Sequence, residues 1–242
     1  LMPELMTPKQ KVDSLRQLLE RMKPEMALAL PKHMTADRMA RIALTSCLRT
    51  PKLLECDPAS FAGSVLMAAQ IGLEPDGREA HLVPFRNTKR NVVEVQLIPD
   101  YKGFLKLARN SGQIKMVDFR EVREGDKFEY KYGTGAFLTH TPSPAPAHEK
   151  KGKEWTERAI THCYAIATLT SGESVFEVMA WPDIEWHRDR YSRAAGEGPW
   201  ITNQAEMGAK TCVRKLYKKL PSANAPMRLA VVLDEKAEQG IP

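Results

Sequence analysis

The chain contains one stretch, Gln96–Lys115, in which a strand pattern runs into a helix pattern: QLIPDYKGFLKLARNSGQIK. Apolar and polar residues alternate over residues 92–97, as in a half-buried strand. Pro99 ends this strand because proline has no backbone N–H to donate. Asp100 is a typical helix N-cap and Gly112 a typical helix stop. The stretch therefore predicts a strand that leads directly into a short helix.

The helix predicted after this strand has one apolar face and one basic face. Its apolar positions recur at i, i+3, i+4 and i+7 and are Tyr101, Phe104, Leu105 and Ala108. Its basic positions are Lys102, Lys106 and Arg109. Residues 102–115 contain four cations and no acidic residue. Exposed helices usually mix both signs of charge, so this pattern favours an anionic ligand, with a plain solvated face as the simpler alternative.

The composition is that of a globular protein with a moderate excess of positive charge. The 242 residues are 43% hydrophobic and 27% charged, with a net charge of +6. This length allows one large domain or two small ones, and the charge favours an anionic partner. No apolar run approaches the ~18 residues of a membrane span, and no signal-peptide pattern opens the sequence. The four cysteines include no Cys-x-x-Cys pair, so we expect a reduced, cytoplasmic compartment.

The N-terminal part is predicted to be helical. Residues 9–73 contain three amphipathic patterns, whose usual role is packing in a core or between subunits. We expect the first helix to end near Pro24, since proline lacks the donor that continues a helix. Thr35 is a suitable N-cap for the second helix.

The middle of the chain is predicted to be rich in strands. Alternating patterns indicate hairpins over residues 80–98, 114–132 and 159–181. Residues 141–153 contain three prolines among small and charged residues, which predicts a mobile loop.

The order of these elements predicts an α+β fold rather than alternating βαβ units. We expect a helical N-terminal lobe, an antiparallel or mixed β-sheet core with the helix of Gln96–Lys115 inserted, and C-terminal helices. The corresponding division is residues 1–73 for the lobe, which would hold subunit contacts, and residues 74–242 for an α+β core that would bind the anionic partner.

A second basic helix is predicted near the C-terminus. Asn203 followed by Glu206 has the spacing of a capping box, and Pro221 ends the helix. Lys210, Arg214 and Lys218 recur at i, i+4 and i+8, and residues 207–220 contain no acidic residue.

Two helices of this kind favour a groove that binds the phosphate backbone of a nucleic acid. Tyr101 stands beside Lys102 and is the aromatic residue we expect nearest to the ligand, where stacking on a base contributes roughly 1–3 kcal/mol. The cations of the neighbouring segments extend this surface. The candidates from the residues alone are Tyr101, Lys102, Lys106, Arg109, Arg120, Arg123, Lys127, Arg188, Arg190, Lys210, Arg214 and Lys218.

Several segments, in their order along the chain, resemble the RecT family of phage-type single-strand DNA annealing proteins. They are Gly72-Leu-Glu-Pro75, Leu97-Ile-Pro-Asp-Tyr-Lys-Gly-Phe104, Trp200, Glu206-Met-Gly-Ala-Lys-Thr-Cys-Val-Arg214 and Leu220-Pro221. Lys102, Lys210, Thr211 and Arg214 match positions of the family motifs, so the resemblance places them near DNA. It also implies a fold distantly similar to that of ring-forming annealing proteins, with the N-terminal helices between subunits.

The resemblance implies a recombinase rather than an enzyme. Such proteins coat single-stranded DNA, form rings or helical filaments, and pair complementary strands into an annealed duplex without ATP. The sequence contains no Gly-x-x-x-x-Gly-Lys-Ser/Thr motif, in agreement with that expectation. The implied partners are a 5′→3′ exonuclease and the single-strand-binding protein of the bacterial host. No cofactor is implied, and assistance by Mg²⁺ stays open.

Two other interpretations stay open at this point. Asp76 and Glu94 weakly resemble the paired carboxylates of restriction-type nucleases, in which a lysine assists; Gln96 stands where that lysine is usual. Cleavage that needs Mg²⁺ and disappears in Asp76→Ala would favour this alternative. The other is a structural protein that binds only proteins. The histidines and cysteines show no spacing typical of a zinc site.

Overall fold

The computed structural model describes residues 6–151, 154–192, 195–196, 198–221 and 225–241, and it combines helices with antiparallel sheets. The helices are α1 (Pro8–Ala29), α2 (Ala36–Arg49), α3 (Pro58–Ile71), α4 (Tyr101–Asn110), α5 (Trp181–Tyr191), α6 (Pro199–Thr202), α7 (Gln204–Lys219) and α8 (Ala225–Gln239), with a 3-10 helix at Pro51–Glu55. The strands are β1 (Ala80–Asn87), β2 (Val92–Pro99), β3 (Ile114–Arg123), β4 (Lys127–Lys131), β5 (Phe137–Thr141), β6 (His148–Lys151), β7 (Glu154–Glu157), β8 (Ile160–Leu169) and β9 (Ser174–Ala180). The predicted α+β class, with helices at both ends, is confirmed.

The chain divides into two compact units. Unit 1 comprises Leu1–Ser111 and Ser222–Pro242, and unit 2 comprises Gly112–Pro221. This division differs from the boundary at residue 73 expected from the sequence. The reason is the packing of α3 against β2, where Ser64 Oγ donates to Val95 O at 2.8 Å and Asp57 N donates to Val93 O at 2.8 Å. The first hairpin therefore belongs with the N-terminal helices.

Unit 1 begins with helices whose ends follow the capping rules. Thr35 Oγ1 accepts from Arg38 N at 3.3 Å, which confirms the predicted cap of α2. The prediction that α1 ends near Pro24 is wrong, because α1 continues to Ala29. Met26, just beyond the proline, is fully buried. Its burial offsets the hydrogen bond that proline removes.

Strands β1 and β2 form the antiparallel hairpin expected over residues 80–98, with Ala80 opposite Pro99 and Asn87 opposite Val92. The chain then enters α4 directly. Asp100 caps α4 by accepting from Lys102 N at 3.2 Å, as predicted. Gly112, at a φ of 68°, follows the end of the helix. The strand-to-helix unit predicted from Gln96–Lys115 is thus confirmed.

Unit 2 is built on a three-stranded antiparallel sheet in the order β3-β8-β9, with separate β4–β5 and β6–β7 hairpins. The predicted hairpin of residues 114–132 is wrong, because β3 pairs with β8 and β4 pairs with β5. The long hairpin of β8 and β9 is confirmed. Part of the predicted loop at residues 141–153 forms β6; residues 152 and 153 lie outside the described part.

Helix α7 packs on the sheet of unit 2. The sheet residues beneath it are small and fully buried: Cys163, Ala165 and Ala167. Gly208 allows the close approach, since a Cβ there would lie 2.8 Å from Cys163 Sγ. The predicted capping box is wrong, because the Asn203 side chain makes no capping hydrogen bond to α7.

Candidate nucleic-acid interface

Helix α4 is positioned by the residues of its own motif. Gly103 lies so close to the neighbouring chain that a Cβ there would meet the carbonyl oxygen of Glu79 and approach Leu73 Cδ1 within 2.8 Å. Phe104 is fully buried in the core. These two inward residues turn the preceding Tyr101 and Lys102 toward solvent.

Three exposed side chains, Tyr101, Lys102 and Arg109, form what we call the α4 surface. Tyr101 is 40% exposed, and Lys102 Nζ lies 5.7 Å from the centre of its ring. Within the described residues, neither Lys102 nor Arg109 has a carboxylate within ion-pair distance. Lys106 differs, because its Nζ lies 2.6 and 2.8 Å from the carboxylate oxygens of Glu79. Two of the three predicted cations of α4 therefore remain available to an anion.

The predicted basic row of α7 does not face solvent throughout. Arg214 is only 4% exposed and donates from Nη2 to Thr211 Oγ1 at 3.3 Å. Thr211 is also buried and donates to Met207 O at 3.0 Å. Lys210 is half-buried, and Lys218 is exposed. The physical reason is that α7 buries Thr211 and Tyr217 as well as its apolar residues, so the row lies within a wider buried surface. The buried apolar residues of α7 are Ala209, Cys212, Val213 and Leu216.

The cations of β3 and β4 also have different surroundings. Arg120 is exposed and lies 3.0 Å from Asp118, which raises the pKa of the guanidinium. Lys127 is exposed on β4. Arg123 is 6% exposed; its Nη1 lies 2.5 Å from Glu157 and donates to Arg158 O at 2.9 Å. This geometry indicates that Arg123 stabilises unit 2 rather than meeting a ligand at the surface.

A cavity of about 760 Å³ lies beside Arg123 in unit 2, next to the first turn of α7. Its charged lining includes Glu121, Glu157 and Glu206 as well as Arg123 and Arg158. Since Glu121 and Glu157 both lie against Arg123, the cavity has no excess of positive charge. It is therefore a poor site for a phosphate backbone.

The two predicted DNA contacts on helix α5 have different surroundings. Arg188 is half-buried and bound to Asp189 at 2.7 Å. Arg190 is exposed and lies over Trp186, with Cζ 5.6 Å from the ring centre. Trp186 is not among the residues predicted from the sequence to contact DNA, although its i, i+4 spacing from Arg190 was a usable signal.

Five aromatic residues of unit 2 form a continuous row. Phe128 stacks on Tyr164 at 5.7 Å, and Tyr132 stacks on Phe176 at 5.1 Å, with Tyr130 between them. The Tyr132 hydroxyl accepts from Val178 N at 2.8 Å, on the edge strand β9. These contacts attach the β4–β5 hairpin to the sheet, so the row is first of all structural.

Asp126 fixes the turn that separates β3 from β4. Its carboxylate accepts from Ser143 N and Arg123 N, both at 2.9 Å, and lies 3.1 Å from His140 Nε2 and 3.0 Å from Arg158 Nη1. Burial by itself would raise the pKa of Asp126, but these hydrogen bonds outweigh it and hold the pKa well below its usual range. The ionised carboxylate is thus part of the fold of unit 2.

The two carboxylates of the nuclease interpretation, Asp76 and Glu94, make structural contacts within the fold. Asp76 Oδ1 accepts from the backbone amides of Arg78 and Glu79 at 2.8 and 3.0 Å. Glu94 is buried and bound by Asn87 at 2.9 Å and by Arg90 at 2.5 Å. Among the described residues there is no group of three or more His, Cys, Asp or Glu side chains arranged to hold a metal. The geometry therefore does not favour this alternative.

The sequence is similar to proteins of a known family. It matches the RecT family over residues 37–239. The chain belongs to the RecT family. Protein RecT of Escherichia coli (strain K12) is 42% identical over 219 residues, a match that covers 89% of this chain and 77% of the E. coli protein. Membership confirms the resemblance and supports DNA binding and single-strand annealing in recombination as the function.

The RecT motif residues occupy both units of the structure. The four predicted DNA contacts of α4 lie in unit 1, and the nine on β3, β4, α5 and α7 lie in unit 2. Of the four matched to family motifs, Lys102 is exposed, Lys210 is half-buried, and Thr211 and Arg214 are buried. In the described part of the chain, no helix is long and apolar enough to span a membrane.

Proposed function

We propose that this RecT-family chain binds single-stranded DNA through its cations and anneals it to a complementary strand without ATP. The observation that carries the proposal is the α4 surface, where Lys102 and Arg109 have no carboxylate partner in the described residues and stand with an exposed tyrosine. Cations of this kind bind phosphates, and an exposed ring accepts an unpaired base. Family membership supports the same activity.

The proposed mechanism follows from which part of the DNA is held. If the protein grips phosphates and sugars, the base edges stay accessible to a second strand. Sequence recognition then comes from Watson–Crick pairing between the strands. In this proposal DNA is contacted in unit 1 by the α4 surface, and in unit 2 by the exposed cations Lys127, Arg190 and Lys218. The protein supplies binding and orientation, and no bond is made or broken.

We further propose that the active form is an oligomer, either a ring or a helical filament. Leu28 on α1 and Leu48 on α2 are 91% and 70% exposed, which fits a role of the N-terminal helices in subunit contacts. Repeated subunits along one strand add their affinities. By the family relationship, a 5′→3′ exonuclease and the host single-strand-binding protein are the proposed partners in the bacterial cytoplasm.

An annealing assay tests this function. Two complementary oligonucleotides, one carrying a fluorophore and one a quencher, are mixed with the protein without ATP, and in parallel with and without Mg²⁺. We expect rapid quenching with the wild type and slow quenching with the double variant Lys102→Ala, Arg109→Ala. The matched control, Lys52→Ala with Lys236→Ala, removes the same charge from other positions outside the predicted interface and should anneal normally.

Two results would count against the proposal. If the wild type does not accelerate pairing, the annealing function is wrong. If the wild type anneals and the α4 double variant matches it, the α4 surface is not the DNA contact. Electron microscopy with and without the two oligonucleotides tests the oligomer separately, since it shows rings or filaments directly.

A further inference from the structure

The C-terminal half of α5 carries an exposed aromatic pair. Trp186 is 60% exposed, and its ring lies 5.9 Å from that of Tyr191 in an edge-to-face arrangement. The Arg190 guanidinium lies close to both rings, with Cζ 5.6 Å from the centre of Trp186 and 5.9 Å from the centre of Tyr191. A large aromatic residue exposed to this degree is unusual in a protein that has a core available. We refer to Trp186, Arg190 and Tyr191 as the α5 cluster.

The charges on α5 leave Arg190 as its available cation. Glu185 and Asp189 both lie against Arg188, at 3.8 and 2.7 Å. Asp183 is in the first turn of the helix, where the helix dipole favours a negative charge. Within the described residues no carboxylate lies within ion-pair distance of Arg190, whose neighbours are the two rings. The cluster thus combines a flat apolar surface with an unneutralised guanidinium.

We propose that the α5 cluster holds one unpaired base of single-stranded DNA. The base stacks on the exposed indole of Trp186, and the Arg190 guanidinium contacts the adjacent phosphate. This inference rests on the proposed function and adds to it a stacking residue on unit 2. Stacking on an aromatic ring accepts every base, as an annealing protein requires.

The chemistry of the cluster favours single strands over duplex. In a duplex both faces of each base are covered by neighbouring base pairs, so the indole has no ring to stack on without unstacking the helix. An arginine that lies near two aromatic rings is also poorly suited to an apolar protein partner, because docking would bury its charge without a carboxylate. A polyanion with exposed bases satisfies both the charge and the rings.

The test measures the binding of a short oligodeoxythymidine by the full chain at low salt. Three variants are compared with the wild type: Trp186→Ala, Trp186→Phe and Ile201→Ala. Ile201 is 56% exposed on unit 2 and is the matched control for loss of an exposed apolar side chain. Affinity is read by fluorescence anisotropy of the labelled oligonucleotide, tryptophan emission is recorded in parallel, and light scattering gives the particle size.

We expect Trp186→Ala to weaken single-strand affinity about tenfold, equivalent to about 1.4 kcal/mol. Trp186→Phe should weaken it about threefold, since the smaller ring still stacks. Ile201→Ala should bind as the wild type does. DNA should quench the wild-type tryptophan emission, and most of this quenching should be absent in Trp186→Phe. Duplex of the same length should show little difference between the wild type and Trp186→Ala.

Three outcomes would overturn the inference. If the wild type binds DNA and Trp186→Ala binds it equally well, the cluster is not a base site and the proposed function stands. If Trp186→Ala changes the particle size without changing affinity per protomer, the cluster is a contact between copies of the chain. If the wild type binds no DNA at all, the proposed function and this inference both fail.

Discussion

Helix α4 of unit 1 presents Lys102 and Arg109 to solvent, whereas helix α7 of unit 2 buries Arg214, the central cation of its basic row. In α4 one face packs inward and the opposite face carries the charge. In α7 burial extends from Ala209 to Tyr217 on more than one side of the helix. An acid-free basic helix can therefore serve a ligand or the fold, and burial decides which.

The same contrast extends to the rest of unit 2, which buries charge at Arg123 and Asp126 as well. Each of these groups has several partners within unit 2: Arg123 lies against Glu121 and Glu157, and Asp126 accepts hydrogen bonds from two backbone amides. Buried charges of this kind are costly to disturb. Exposed charges on α4 are not, so the two sets of side chains should respond differently to substitution.

The apolar faces of the two helices set the largest expected effect. Phe104 on α4 and Leu216 on α7 are both fully buried. Phe104→Ala and Leu216→Ala should each lower the free energy of unfolding by about 3–5 kcal/mol, because each leaves a cavity. Urea titration measures the loss. Wild-type stability in either variant would show that the helix faces are assigned incorrectly.

The close approach of α4 to the chain of unit 1 is tested at Gly103. Gly103→Ala places a methyl group against the Glu79 carbonyl and the Leu73 side chain, and should cost about 3 kcal/mol through overpacking. Gly63→Ala is the matched control, since Gly63 lies in α3 and a Cβ added there would have no neighbour within 4 Å. There the change should be neutral or stabilising by up to about 1 kcal/mol. Equal effects at both positions would contradict the packing of α4.

The buried carboxylate of Asp126 should make the stability of the protein depend on pH. Its pKa in the folded state is held below that in the unfolded state, so the ionised carboxylate stabilises the fold above about pH 4, and this contribution is lost as the pH falls further. Asp126→Asn should cost about 2 kcal/mol at pH 7. The difference in the free energy of unfolding between the variant and the wild type should become smaller below about pH 4. Urea midpoints from pH 3 to 7 measure this difference. Parallel curves would show that folding does not change the pKa of Asp126.

Substitutions at Arg214 and Lys218 distinguish a structural cation of α7 from one that is exposed to a ligand. Because it is buried and bonded to Thr211, Arg214→Ala should lower the free energy of unfolding by about 1.5 kcal/mol. Lys218→Ala, on the exposed end of the row, should leave the melting temperature close to that of the wild type. If both variants melt as the wild type does, Arg214 does not stabilise the fold, and its role is then like that of the exposed cations of α4.

Local signals predicted much of the fold. The caps at Thr35 and Asp100 depend on residues within a few positions of one another. The β1–β2 hairpin pairs two consecutive strands across the short turn between Asn87 and Val92. The pairing of β3 with β8 could not be predicted in this way, because the partners lie far apart in sequence, from Arg123 opposite Ile160 to Ile114 opposite Leu169. The turn at Asp126 likewise depends on Ser143 and Arg158.

The candidate site was predictable to a similar extent. Charge pattern correctly located exposed cations on α4, yet it could not reveal that Lys106 is bound by Glu79. Nor could it distinguish Arg190, beside Trp186, from Arg188, beside Asp189. Side chains of one type at helical spacing look alike until tertiary packing supplies their neighbours.

Substitution of Lys102 should have the smallest effect on stability. It is also the most direct test of DNA binding by α4. Lys102→Ala should leave the melting temperature unchanged and weaken single-strand binding a few-fold. If Lys102 contacts one phosphate, the slope of log K against log salt should fall in magnitude by about 0.7, the value for one contact to a single strand.

Lys106→Ala is the control on the same helix. Its ammonium is bound to Glu79, so this variant should leave the salt slope close to that of the wild type. An equal change of slope in both variants would mean that the ion pair opens on binding and that α4 uses its whole basic face. No change in either would remove both lysines from the DNA contacts, and Arg109 would then be the cation of α4 left to contact DNA.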